Sequence, residues 1–138
     1  MKTVLVGGCF DLIHYGHVAF LKTAKQNGDT LVIMLESDET IQRIKGEGRP
    51  FHTQEQRKAM LEALRFVDEV IALPPMQTDE AYFEAIKKIH PDVIAFTEGD
   101  PIIDKKMKQA ERVGASAVVI PKIKTHSTST LAKLLKLE

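Results

Sequence analysis

The chain has 138 residues, 43% hydrophobic and 28% charged, and its 19 Lys and Arg offset 19 Asp and Glu for a formal net charge of +0. These figures suit one compact domain over residues 1–138, and they exclude a global charge field for nucleic acid and, with Cys9 as the sole cysteine, an internal disulfide. No apolar run nears the roughly 18 residues of a membrane span and MKTVLVGG lacks a secretory pattern, so cytoplasm is the expected location.

Taken in order, the first apolar run is Thr3–Val6, followed by helical spacing at Val18, Leu21 and Ala24, with Gly28 as the expected helix stop. The second run, Leu31–Leu35, leads into the polar segment Ser37-Asp38-Glu39 and a Gly-rich loop around Lys45. Thr53 and Gln56 make a capping-box pattern ahead of a helix carrying Met60, Leu61 and Leu64. Arg57 and Arg65 read as neighbours on one face of that helix, where pairing with Glu55, Glu62 or Glu69 would make them a solvated stripe. Next come the run Glu69–Leu73, helical spacing at Tyr82, Phe83 and Ile86, and the run Val93–Phe96. Asp100-Pro101 reads as an N-cap followed by an N1 proline, Gly114 closes that helix, and Ala117–Ile120 is the fifth strand. Alternating strands and helices imply a mostly parallel sheet with helices on both faces, whose ligand crevice lies at the carboxyl edge where strand order reverses.

The most informative stretch joins the first strand to its helix: Gly7-Gly8-Cys9-Phe10-Asp11, then Leu12-Ile13-His14-Tyr15-Gly16-His17. Two glycines permit close approach of backbone to a phosphate, and a helix start aims free N–H groups at the same point. His14 and His17, three apart, fall on one face and can donate to phosphate oxygens. The glycines can equally serve only the turn, and His-x-x-His can be half of a zinc site, although no cysteine cluster or suitably spaced third histidine accompanies it. The G-x-G-x-x-G spacing of a dinucleotide site is absent, which disfavours hydride transfer.

The phenylalanine-aspartate pair followed by His-Tyr-Gly-His resembles the nucleotidyltransferase superfamily of cytidylyltransferases. The resemblance implies a Rossmann-like three-layer α/β/α fold with a five-stranded parallel sheet, histidines on a triphosphate and no covalent enzyme intermediate. It extends along the chain through Gly28-Asp29, Ser37-Asp38-Glu39, Lys45-Gly46, Arg49-Pro50, Arg57, Arg65-Phe66-Val67-Asp68, Thr97-Glu98-Gly99-Asp100 and the Ser127-Thr128-Ser129 turn. By this resemblance His14, His17, Lys45 and Arg57 are the expected catalytic residues. Gly8, Cys9, Phe10, Asp11, Glu98, Gly99, Asp100, Ser127, Thr128 and Ser129 would join the histidines on the nucleotide. Lys45, Asp38 and Arg65 would hold the acceptor, and Asp11 would either orient the histidine loop or bind metal. Two departures stand out: Cys9 replaces a hydroxyl residue common in relatives, and Lys122, Lys124 and His126 occupy the stretch where relatives carry an arginine.

The implied reaction moves a nucleoside monophosphate, CMP or AMP, from a nucleoside triphosphate to a phosphorylated small molecule with release of pyrophosphate. Mg²⁺ is the implied cofactor, neither nucleic acid nor membrane is an expected partner, and relatives are usually homodimers. His-Tyr-Gly-His and Arg65-Phe66-Val67-Asp68 favour CTP with glycerol 3-phosphate. FMN with ATP, as in an FAD synthase, and a sugar phosphate with either nucleotide stay open. Phe51, Met76 or Tyr82 could line the slot a flavin needs. A regulator that binds nucleotide without turnover is the alternative of another class.

Overall fold

The computed structural model describes residues 1–123 and 128–136. Its elements run β1 (Thr3–Gly8), α1 (Tyr15–Lys25), β2 (Thr30–Leu35), α2 (Asp38–Lys45), α3 (Gln54–Glu62), β3 (Glu69–Ala72), α4 (Asp79–Ile89), β4 (Val93–Thr97), α5 (Ile103–Val113), β5 (Ser116–Ile120) and α6 (Thr128–Leu134). The five strands lie in the order β3-β2-β1-β4-β5, and each neighbouring pair is parallel. Strand order therefore reverses between β1 and β4, and their carboxyl ends, Gly8 and Thr97, open onto the switch point.

The inner strands β1, β2 and β4 arise from apolar runs because they are largely buried on both faces, whereas the edge strands β3 and β5 fully bury only Val70 and Ile120. On one face Val4, Val6, Leu31, Ile33, Leu35, Val70, Val93 and Ala95 pack with Leu21 and Ala24 of α1 and Leu61 of α3. On the other, Leu5, Val32, Met34, Ile94 and Phe96 pack with Ile86 of α4 and Ala110 of α5. The result is the three-layer α/β/α arrangement, in which each fully buried aliphatic side chain contributes about 1.5–3 kcal/mol of transfer free energy. Among the described residues no helix is long and apolar enough to cross a membrane.

Four local expectations need correction. The segment after β2 is not all loop: Ser37 caps α2, its hydroxyl accepting from the Thr40 N–H at 3.1 Å, so Lys45 ends a helix. Arg65 does not share a helix with Arg57, because α3 ends at Glu62 and Arg65 lies exposed in the turn beyond it. Asp100 is not an N-cap; its Oδ1 accepts from the Ile102 N–H at 3.0 Å in a turn, and α5 starts at Ile103 with no side-chain cap. Gly28 closes nothing in a left-handed conformation; it sits where an added Cβ would lie 2.7 Å from the Lys2 carbonyl oxygen, so close approach explains it. By contrast, Gly114 does end α5 at φ 78, and Thr53 and Gln56 form the capping box.

Candidate active site

The site grows out of the carboxyl end of β1. Phe10 and Leu12 hold positive φ values of 48 and 53, a conformation unfavourable for side-chain-bearing residues, and Asp11 stands between them. An added Cβ at Gly8 would lie 3.0 Å from the Phe10 ring, so glycine there lets the ring fold back toward the helix. The ring centroid then sits 5.5 Å from that of His17.

Asp11 opposes this strain. Its buried carboxylate accepts from the Phe51 N–H at 2.8 Å, the His52 N–H at 3.0 Å and Arg49 Nε at 3.2 Å, tying the β1–α1 loop to the segment before α3. With both oxygens engaged, the orienting role is the one the geometry supports. Among the described residues no group of three or more His, Cys, Asp or Glu could hold a metal ion.

The two histidines cap α1 reciprocally. His14 Nδ1 accepts from the Gly16 N–H at 3.0 Å, and His17 Nδ1 accepts from the His14 N–H at 3.2 Å. A ring nitrogen that accepts carries no proton, so both imidazoles are neutral with the proton on Nε2. Burial pushes His17 down to about 4, since a second proton there would also face His14 and the Lys45 ammonium, with Asp11 acting the other way, and burial lowers His14 as well. The rings lie 4.0 Å apart, centroid to centroid. Two Nε2–H donors at a helix N-terminus are thus fixed before any ligand arrives.

Arg57 departs most from the expected arrangement. Rather than standing on a solvated stripe, it is 0% exposed and is the largest fully buried side chain. Its guanidinium donates to the carbonyls of His52 (3.0 Å), Cys9 (2.8 Å) and Glu36 (3.0 Å) and to Asp38 Oδ1 (2.7 Å). Four bonds of this kind make it the post that fixes the ends of β1 and β2, and it is absent from the cavity lining. Asp38, expected on the acceptor, is turned to Arg57 instead.

A cavity of about 340 Å³ opens at the switch point and is lined by Gly8, Cys9, Phe10, Asp11, His14, His17, Lys45 and Asp100 from the expected set. It also takes in Arg49, Thr97 and Lys122, which stand in stretches the family resemblance covers, and Lys106, which the sequence did not place there. Lys106 is paired with Asp100. Glu98 and Gly99 are exposed in the turn after β4 and do not line the cavity. Ser127, Lys124 and His126 lie outside the described residues, Thr128 begins α6, and Ser129 is half-buried in its first turn. The run Pro121-Lys122-Ile123 leading toward that turn does line the same cavity as the histidines. Lys122 carried a sequence signal, as a cation where an arginine was expected; Lys106 carried none, being one of three lysines over residues 105–108.

A parallel sheet with a phosphate-suited helix start at its switch point defines a Rossmann-like nucleotide-binding protein. The Cytidylyltransferase-like family model matches residues 5–130, and the chain belongs to that family of nucleotidyltransferases. It is 37% identical over 136 residues to the FAD synthase of Thermococcus kodakarensis, covering 96% of this chain and 89% of that protein. It is 38% identical to the Bifunctional protein HldE of Alcanivorax borkumensis over 98% of this chain, but spans 28% of that longer protein. Among solved structures, the lipopolysaccharide core biosynthesis protein of Thermoplasma volcanium GSS1 superposes with a TM-score of 0.73 at 23% identity, over 91% of this chain and 99% of that one, a likeness of fold.

Proposed function

We propose that this nucleotidyltransferase joins AMP from ATP to a phosphorylated small molecule and releases pyrophosphate. The observation that carries the reading is the pair of preset Nε2–H donors at the start of α1, beside Lys45 and within one cavity. ATP is favoured because the FAD synthase relatives, whose product contains adenine, match over nearly their whole length.

An acceptor phosphate oxygen attacks the α-phosphorus in line; a new P–O–P bond forms as the bond from the α-phosphorus to the bridging oxygen breaks, and pyrophosphate leaves with that electron pair. A phosphate monoester is largely ionised at pH 7, so no proton must be removed from the nucleophile. Charge accumulating on the phosphoryl oxygens meets His14 and His17 Nε2–H and the Lys45 and Lys122 ammonium groups, while Arg57 and Asp11 hold the frame. Each histidine could take up a proton at Nδ1 only by surrendering its cap bond, so the pair serve as hydrogen-bond donors rather than as acids. Mg²⁺ would supply charge neutralisation on the triphosphate. The described residues form no protein cage for it, which suits an ion held by phosphate oxygens and water.

The test is ³¹P NMR of the protein with ATP or CTP and, in turn, glycerol 3-phosphate, glucose 1-phosphate and FMN. Pyrophosphate together with a new diphosphate ester is expected with ATP. Product from CTP and glycerol 3-phosphate would replace the nucleotide assignment, and tight ATP binding with no product from any pair would favour the regulator.

A further inference from the structure

We infer that Lys106 binds the phosphate of the acceptor, from the wall of the cavity opposite the two histidines. The inference rests on the transfer reading above and identifies the side from which the attacking group enters.

The pattern of α5 sets the position of Lys106. Ile103, Ala110 and Val113 pack on the sheet face that also holds Leu5, Ile94 and Phe96, and helical spacing puts Lys106 on the same stripe. Of the three lysines over residues 105–108, Lys105 and Lys108 are exposed, whereas Lys106 is half-buried and lines the cavity. A charge on a packing stripe costs desolvation that an apolar side chain would avoid. Lys106 stands at the start of the helix, however, next to the carboxyl end of β4, where the stripe runs off the core and into the crevice.

Its ammonium has one partner and donors to spare. Among the described residues that partner is Asp100, in the turn after β4. An ammonium carries three N–H donors, so the pair leaves two for a ligand. The other Asp100 oxygen accepts from the Ile102 N–H at 3.0 Å, which ties the pair to the backbone at the cavity wall. Lys106 also acts electrostatically on Glu36, the residue after β2, whose carboxylate is held by the Tyr82 hydroxyl at 2.8 Å. A cation paired beyond β4 and felt just beyond β2 stands near the end of β1, the strand between them.

The two walls of the cavity therefore belong to opposite faces of the sheet. Helix α1, with His14 and His17 at its start, packs on the face of Val4 and Val6, and α5 packs on the face of Leu5 and Phe96. In an in-line transfer the attacking and leaving oxygens lie on opposite sides of the α-phosphorus. With the histidines on the triphosphate, the α5 side is left to the nucleophile. An acceptor phosphate approaching a triphosphate is repelled by it, and a compact cation on the entry side offsets that repulsion. Phe51, Met76 and Tyr82 do not line this cavity, so the apolar slot considered for a flavin is not assembled there and charge reads the acceptor.

The experiment compares the wild type with Lys106→Gln, Lys106→Arg and, as a control of equal charge change on an exposed turn of the same helix, Lys108→Gln. Pyrophosphate release is read with ATP and glycerol 3-phosphate, ribose 5-phosphate, glucose 1-phosphate or FMN. Calorimetric binding of each acceptor is measured in the presence of α,β-methylene-ATP. For the acceptor bound best, Lys106→Gln should raise KM and Kd about tenfold, the usual scale for a hydrogen bond to a charged group, with KM for ATP held. Lys106→Arg should recover most of the loss, and Lys108→Gln should match the wild type. Unchanged acceptor constants in Lys106→Gln, an equal loss in Lys108→Gln, or a rise confined to KM for ATP would overturn the assignment while leaving nucleotidyl transfer intact. Weaker acceptor binding by Lys106→Gln in a protein that releases no pyrophosphate would sink the transfer reading and keep the contact. A wild type that neither binds nor turns over any acceptor would remove both.

Discussion

The two banks of the crevice are built on opposite plans. On the β1–β2 bank, Asp11 and Arg57 are buried and reach between them the segments at residues 9, 36, 38, 49, 51 and 52. On the β4–β5 bank, Lys122 and Ile123 are exposed, and among the described residues the cavity's one ion pair on that side is Lys106 with Asp100. The contrast teaches that the bank carrying the histidines is preorganised by desolvated hydrogen bonds, whereas the other attracts anions through solvated point charges that cost little to rearrange.

Removing the central post is the harshest test. Arg57→Ala leaves three carbonyl groups and Asp38 without their donor, and should lower stability by about 3 kcal/mol or more, read as a shift in the urea midpoint. If Arg57→Ala remained as stable as wild type, the preorganised bank would lose its basis. His17→Ala should come next: the fold persists and pyrophosphate release falls about a hundredfold, the usual scale for one transition-state donor. Full activity in a purified, folded variant would remove His17 from the reaction.

Acid sharpens the same contrast with no substitution. His17 has a folded pKa of about 4 against 6.5 for an ordinary histidine, so the unfolded chain binds more protons between those values. Its contribution is fully present above about 6.5 and is lost as pH falls from there toward 4. Urea midpoints should decline through that window in wild type and less in His17→Gln; identical slopes would argue against a buried neutral ring. The smallest effect belongs to the open bank. Lys122→Ala should raise KM for ATP roughly two- to fivefold, the range for an exposed charge, with the urea midpoint unmoved.

Much of the fold was legible because its signals are local. Apolar runs marked all five strands to within a residue or two: burial on both faces keeps the inner strands β1, β2 and β4 apolar, and β-branched residues mark the more exposed edge strands β3 and β5. The histidine loop was legible for the same reason: Gly8, Asp11, His14 and His17 lie within ten residues and share one turn and one helix start. What escaped depends on residues far apart. Helix α2 offers only Ile41 and Ile44 as apolar residues, too few to display a periodicity, and its place is set by Ser37 capping and by Thr40 bonding to Met76 N–H at 3.3 Å. Arg57 looked like any helical arginine, because its partners converge only after β1 and β2 are side by side. Glu36 and Tyr82 are 46 residues apart, and neither belongs to a recognisable motif.

The central claim is that two neutral imidazoles, each with its proton fixed on Nε2, wait for the triphosphate. Long-range ¹H–¹⁵N correlation spectra of His14 and His17 at pH 7, recorded with and without ATP, address it directly. Both rings should be neutral Nε2–H tautomers whose signals move when ATP binds. Cationic rings, protons on Nδ1, or ring signals unmoved by saturating ATP would contradict it.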